Sequence, residues 1–499
     1  MLQLARLGPV PGYTLAVLSA SFAISILAYD ASLINNLNIL PQYIEHFQLD
    51  SSLIGLNTAI VSAGSIVAGP LVGPLIDRWG RKTGLMISSV LVALGAILQV
   101  TSQTEVQFVI GRFFIGMAST ISGTTAPMWV MELASPRLKN LLTGICVTSL
   151  PFAGVIVTAI TMGIHNSGSA WGWKGPIMGE LVIGIVPLLL LPFTDESPRW
   201  LIYQGYHSEA LEVLNRLYKN GHREDQLVSS MYKEISDTLE FEKQHDGGWK
   251  SLIYPAANLR RFSIAVLCNI FYQVVGAQMI LYFFTFIVQQ AGITDTMTTL
   301  IITLGLGIWA SIWVSIGGYT VNRVGQRKAL VWATAFMTVC FILLGVLVYL
   351  TESRDDTRYS IGAIVVIFFF QIASCSTWFN VAYIYPPQIL KYTQRGKGVA
   401  AAQAIGFALS FLNLYTTPIA IANISWRYYI ANAAWDAVMI LIIQWFFVNT
   451  DGKSLEEIDE IFDGLVHTNG VVVNDVENDT SGDSKMNMEQ KEVKIVSQA

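Results

Sequence analysis

The sequence predicts an all-α membrane protein: twelve transmembrane helices in two six-helix, pseudo-symmetric bundles, with a cytoplasmic helical linker between them. Three observations predict it. Of 499 residues, 53% are hydrophobic and only 13% charged, against roughly 25% charged in a soluble domain. Twelve separate runs reach the length of about 20 apolar residues that a bilayer-spanning helix needs. One charged, glycine-rich turn, Gly73-Pro74-Leu75-Ile76-Asp77-Arg78-Trp79-Gly80-Arg81-Lys82, recurs about 245 residues later as Gly317-Gly318-Tyr319-Thr320-Val321-Asn322-Arg323-Val324-Gly325-Gln326-Arg327-Lys328. A turn repeated at the same place in two apolar halves implies a duplicated chain.

The runs fall at about 13–34, 54–76, 83–101, 106–129, 142–164, 176–194, 261–283, 298–321, 329–350, 359–383, 398–421 and 428–448. The segments between them differ in charge. Arg78, Arg81, Lys82, Arg137, Lys139, Arg323, Arg327, Lys328, Lys391, Arg395 and Lys397 lie in alternate connections, whereas 35–53, 102–105 and 284–297 contain no Lys or Arg. Lys174, Arg354, Arg358 and Arg427 are exceptions. The excess of positive charge marks the cytoplasmic side and places both termini there. The expected location is the plasma membrane.

The expected domains are a first bundle at 1–197, a linker at 198–260, a second bundle at 261–450 and a largely disordered tail at 451–499. In the linker, residues 209–218 space their apolar residues as a helix does. The tail is rich in Asn, Asp, Glu, Ser and Lys, too polar to form a packed core. Cys146, Cys268, Cys340 and Cys375 lie one each in separate runs, which suits core residues rather than a disulfide or metal site. The run after Met1–Pro11 is longer than a signal-peptide core and reads as a first membrane helix. Nucleotide loops, metal-ligand clusters and nucleophile triads are not apparent, so the sequence predicts no enzyme, no cofactor, no bound metal and no nucleic-acid partner.

Inside the runs, a few charged residues stand out. A carboxylate at a helix centre costs about 2.5–3.5 kcal/mol to insert, so it normally faces a cavity and a partner. Asp30 is either solvated at the end of its run or the carrier of a proton. Arg112 in the fourth run is its candidate partner. Glu180 in the sixth is a second carboxylate, read either as a proton-coupling group or as a lone hydrogen-bonded residue near a helix end.

Four motifs then share one source. They are Asp77-Arg78-Trp79-Gly80-Arg81-Lys82; Pro127 to Arg137 with Glu132 between; Asp195-Glu196-Ser197-Pro198-Arg199-Trp200-Leu201; and Tyr272-Gln273 with Gly276, Gln278 and Tyr282-Phe283. Together they resemble the sugar-porter branch of the major facilitator superfamily over about residues 13–460. The tenth run and its loop, Tyr385-Pro386-Pro387-Gln388 then Arg395-Gly396-Lys397-Gly398, are similar to its fungal lactose-permease-like form.

The resemblance implies a secondary carrier that moves a sugar or sugar-like solute by alternating access and proton symport, as a monomer in the lipid bilayer. Asp30, Arg112 and Glu180 match the positions of the bacterial proton–xylose symporter and would couple the proton. The substrate set would be Tyr272, Gln273, Gln278, Tyr282, Tyr383 and Asn413. A dry sugar site must pair each hydroxyl with a side chain and cover the C–H faces with rings. Read without the resemblance, Gln273 and Gln278 only tie neighbouring helices together. The cytoplasmic gate would comprise Asp77, Arg78, Arg81, Glu132, Arg137, Glu196, Arg199, Arg323, Arg327, Gln388 and Arg395.

The chain departs from the family at informative places. Val147 and Ala310 stand where sugar porters carry Gln or Asn. Tyr272 and Gln278 replace Gln and Asn, Phe283 replaces Tyr, and Tyr383 takes the place of a Trp. The second copy of the gate has lost acids: Asn322 stands against Asp77, and Gln388 against Glu132. Two other readings stay open: a facilitative carrier or exporter of a less polar metabolite, and a nutrient receptor that does not transport.

Overall fold

The structure is a computed structural model. It describes residues 9–134, 138–166, 170–218, 225–244, 248–290, 292–354, 357–391 and 394–450, with short pieces at 461–462, 466–468 and 471–473. The first half consists of α1 (Pro9–Leu37), α2 (Pro41–Phe47), α3 (Ser51–Trp79), α4 (Arg81–Val100), α5 (Glu105–Leu133), α6 (Lys139–Ile164) and α7 (Trp171–Leu190). Three helices connect the halves: α8 (Pro198–Tyr203), α9 (His207–Tyr218) and α10 (Asp225–Gln244). The second half holds α11 (Ala256–Val274), α12 (Ala277–Gln290), α13 (Thr296–Val324), α14 (Gln326–Arg354), α15 (Thr357–Ala373), α16 (Phe379–Ile389), α17 (Arg395–Ile424) and α18 (Trp426–Phe446).

Among the described residues, twelve helical segments are long and apolar enough to cross a membrane, and each expected run coincides with one. They are α1, α3 to α7, α11 with α12, α13, α14, α15 with α16, α17 and α18. Several helices overrun the apolar runs, and α3, α5 and α13 each start on a polar cap that hydropathy does not count. Asp50 takes the Leu53 N–H at 2.8 Å and starts α3; Asp295 does the same for Thr298 at 2.8 Å and starts α13. Such caps satisfy donors that the first helical turn leaves free.

Two spans are interrupted where the site lies. The seventh breaks between α11 and α12 at Gly276, whose φ is +84°. A side chain is strained in that backbone region, and a Cβ at Gly276 would also strike the Phe341 ring. The tenth passes through a π-helical turn, Ser374–Trp378, between α15 and α16. Such turns shift the register of the helix beyond them and are common at functional sites.

The halves pack along α3 against α17 and α6 against α13. Small residues allow close approach: a Cβ on Gly55 would meet the Tyr415 backbone, and one on Gly69 would lie 3.6 Å from Ala404. Hydrogen bonds cross the same interface, Ser52 to Tyr415 at 3.0 Å and Ser62 to Ser410 at 3.3 Å. Asn35 of α1 holds Thr285 of α12, its Oδ1 accepting the Thr285 N–H at 3.1 Å. Residues 1–452 accordingly form one compact unit, with no division between the halves.

The second unit, residues 453–499, is described only in part. It contains a short antiparallel hairpin, β1 (Val466–Thr468) with β2 (Val471–Val473), an exception to the all-α expectation. Most of the tail expected to be disordered lies outside the described residues. The four cysteines are free and buried.

Candidate functional site

At the centre of the first half, three helices bring three charges together. Arg112 of α5 donates from Nη1 to Asp30 Oδ1 at 2.9 Å and from Nη2 to Oδ2 at 3.3 Å. This two-pronged geometry is the strongest arrangement open to Arg and a carboxylate. Arg112 Nε donates to the Asn57 carbonyl of α3 at 2.6 Å. Glu180 of α7 places its carboxyl beside that of Asp30, and its Oε2 accepts from Gln99 Nε2 of α4 at 3.0 Å. Exposure is 1% for Asp30 and 0% for both Arg112 and Glu180. The alternative that Asp30 is solvated at a helix end is therefore corrected. Its helix runs on to Leu37, because Asn35 and Asn36 continue the helix rather than ending it. Glu180 likewise sits mid-helix and is not a lone residue near an end.

The expected substrate residues all belong to the second half. Tyr282 of α12 is within electrostatic reach of Asp30, Arg112 and Tyr383. Tyr272 of α11 meets Tyr383 of α16 edge-on, with ring centroids 6.3 Å apart, and Phe379 lies 5.7 Å from Tyr383. Gln273 and Gln278 are buried on either side of the Gly276 break. Asn413 of α17 donates its Nδ2 to the Gln273 carbonyl at 2.7 Å, which joins α17 to the end of α11. The Tyr272, Tyr383 and Phe379 rings thus join α11 to α16, and the Asn413 bond joins α17 to α11.

The expected gate gathers at the basic end of the helices. Arg81, first residue of α4, donates from Nε to Glu132 Oε2 at 3.0 Å and from Nη2 to Oε1 at 3.2 Å, and reaches Asp77 Oδ1 at 3.4 Å. Ser197 donates its hydroxyl to the same Glu132 carboxylate. Glu196 caps α4 by accepting the Arg81 and Lys82 N–H groups, each at 3.1 Å. Gly80 makes room for it: its φ is +94°, and a Cβ there would collide with the Glu196 carboxylate. Trp200 Nε1 and Gln204 Nε2 then pin the Asp77 carbonyl at 2.8 and 2.7 Å.

Other residues expected in the gate are less central. Arg78 is exposed and lies over the Trp79 ring at 5.9 Å. Arg323 is exposed in the last turn of α13, Arg327 donates to the Gln444 carbonyl of α18, Arg395 opens α17 half-buried, and Arg199 lies in the first turn of α8. Arg137 lies outside the described residues. Gln388 accepts from Gln326 Nε2 at 2.8 Å.

Sequence reasoning overlooked several partners. Gln99, Asn57 and Asn35 are amides in or beside apolar helices, a signal present in the sequence and unused. Gln326 stands inside the quoted repeat at the offset of Arg81, so its pairing with Gln388 was open to the same comparison. Asp436 of α18 is 0% exposed, and its carboxyl oxygens have no hydrogen-bond partner among the described residues; neither sequence nor structure gives it a role.

A sequence profile described as "Sugar (and other) transporter" matches residues 10–462. The "MFS-type transporter oryC" of Aspergillus oryzae is 25% identical over 448 residues, covering 88% of this chain and 83% of that protein. The "High-affinity glucose transporter" of Kluyveromyces lactis is 25% identical, covering 83% and 78%. The inward-open xylose transporter XylE from E. coli superposes with a TM-score of 0.74 at 22% identity, covering 89% of this chain and 98% of its own. The proton:xylose symporter XylE bound to 6-bromo-6-deoxy-D-glucose gives the same TM-score, 0.74.

Proposed function

Because the chain belongs to the sugar (and other) transporter family over residues 10–462, we propose that it carries a sugar or sugar-like solute across a membrane by proton symport with alternating access. One observation carries the coupling: a fully buried Asp30–Arg112 pair with Glu180 beside it. Two carboxylates and one guanidinium leave a charge of −1, and a single proton cancels it. Burial makes that balance matter, since breaking a buried pair costs about 3–5 kcal/mol. A proton arriving on Asp30 weakens its hold on Arg112 and loosens α1 from α5. Arg112 also grips the Asn57 carbonyl of α3, and α3 packs on the second half. Loss of the pair therefore bears on the interface along which the halves move.

The basic end faces the cytoplasm in this reading, with both termini inside, on the strength of the Lys and Arg distribution. The protein acts as a monomer in the plasma membrane. The K. lactis relative carries glucose by its name, and the E. coli structure is of a proton symporter by its title; both support the reading.

The test is sugar uptake into proteoliposomes with and without an inward proton gradient. Asp30→Asn is expected to abolish accumulation against a sugar gradient while leaving counterflow exchange measurable. Undiminished accumulation by Asp30→Asn would refute the coupling.

A further inference from the structure

The substrate locus combines three amides with four rings. Its amides are Gln273, Gln278 and Asn413, and Asn413 Nδ2 spends one of its two donor hydrogens on the Gln273 carbonyl at 2.7 Å. Its rings are Tyr272, Tyr282, Phe379 and Tyr383. The Tyr272–Tyr383 and Phe379–Tyr383 pairs, at 6.3 and 5.7 Å, make a continuous aromatic wall. Tyr383 is nevertheless 49% exposed, so this wall borders open space rather than a packed core. The apolar character also continues across to α6: Phe379 packs against the cluster that Val147 joins.

A bare sugar uses only part of such a locus. Its hydroxyls need partners, which the amides and phenol groups supply, but it leaves the aromatic wall largely uncovered. An aromatic group suits it well, since stacked and edge-on rings gain beyond the area they bury. Resting on the carrier reading above, we infer that the preferred substrates are sugars bearing an aromatic substituent. The sugar lies at the amides beside Gly276, and the aromatic group lies against Tyr272, Phe379 and Tyr383. The phenol groups of Tyr272 and Tyr383 also give this wall donors for a substituent that carries oxygen.

The probes are phenyl β-D-glucoside and methyl β-D-glucoside, which share a sugar and differ in the substituent. Binding to the purified full chain and counterflow in proteoliposomes are measured for each. Phenyl β-D-glucoside is expected to bind about tenfold more tightly than the methyl compound, from ring contacts of the usual strength. Tyr383→Ala and Tyr272→Gln are expected to erase most of that ratio and to change methyl glucoside binding much less. The wild-type ratio alone decides the matter if either variant fails to fold. Equal binding of the two glucosides overturns the inference and leaves the carrier reading standing. Failure of both glucosides and of free hexoses to bind or exchange overturns the carrier reading as well.

Discussion

The two copies of one helix, α3 and α13, show what the duplication kept and what it discarded. Both are 29 residues long. Asp50 and Asp295 cap their starts, about 245 positions apart, and Gly80 and Gly325 end them at the same spacing with φ of +94° and +93°. The backbone plan is retained. The charges beyond it are not. In the first half, Arg81 pairs with Glu132. In the second, their places are taken by Gln326 and Gln388, bonded to each other at 2.8 Å.

The expectation of lost acids was thus half of the change, because the base went with them. Physics explains why. Losing one member of a buried ion pair leaves an unpaired charge, whereas replacing both by amides keeps a hydrogen bond and removes the desolvation cost. Arg81–Glu132 ties α4 to α5, and Gln326–Gln388 ties α14 to α16. Each pair binds helices within its own half.

This contrast can be broken at several points. The largest effect is expected from Arg81→Gln, which strands a largely buried Glu132 carboxylate: about 3–5 kcal/mol of stability, read by unfolding in detergent. Gln326→Ala should cost less, about 1–3 kcal/mol for an unsatisfied amide. The reverse order would break the comparison. A mid-sized loss is expected from Gln388→Glu, since the new carboxylate faces an amide; adding Gln326→Arg should recover it. Failure of the second change to rescue the first would mean that the two positions are not equivalent to Arg81 and Glu132.

The smallest effects belong to the retained caps. Asp50→Ala and Asp295→Ala should each lower the Tm slightly and by similar amounts. For Asp295, the Thr298 hydroxyl and N–H hold the carboxyl below the usual carboxylate range. A lowered folded-state value means its contribution is present at neutral pH and fades as pH falls through the acid range. Asp295→Ala should therefore flatten a small part of the acid-side decline in Tm; an unchanged decline would show the cap to be idle.

The twelve spans are legible in the sequence because bilayer thickness imposes length and apolarity on each helix separately. The duplicated turn is legible because glycine and charge must recur where the backbone turns sharply. Asp30, Arg112 and Glu180 are legible as single charges in apolar runs, and the resemblance joined them. Gln99 and Asn57 were not, because an amide in a long helix looks like a minor lapse in hydropathy until a neighbouring helix is placed against it. The Gln326–Gln388 pair was hidden for a related reason: attention to charge finds missing acids and passes over two neutral residues that replace an ion pair together. The aromatic wall needed the π turn before Phe379 and the break at Gly276, neither of which is fixed by residue spacing alone.

The most direct test is a pair of double-mutant cycles on stability in detergent, one with Arg81→Gln and Glu132→Gln, the other with Gln326→Ala and Gln388→Ala. Coupling within the first pair should be about 2–3 kcal/mol, near the upper end for contacting residues. Coupling within the second should fall below about 1 kcal/mol, as for a neutral hydrogen bond. Equal coupling energies in the two cycles would contradict the claim that the halves share a scaffold but divide their ionic latching unequally.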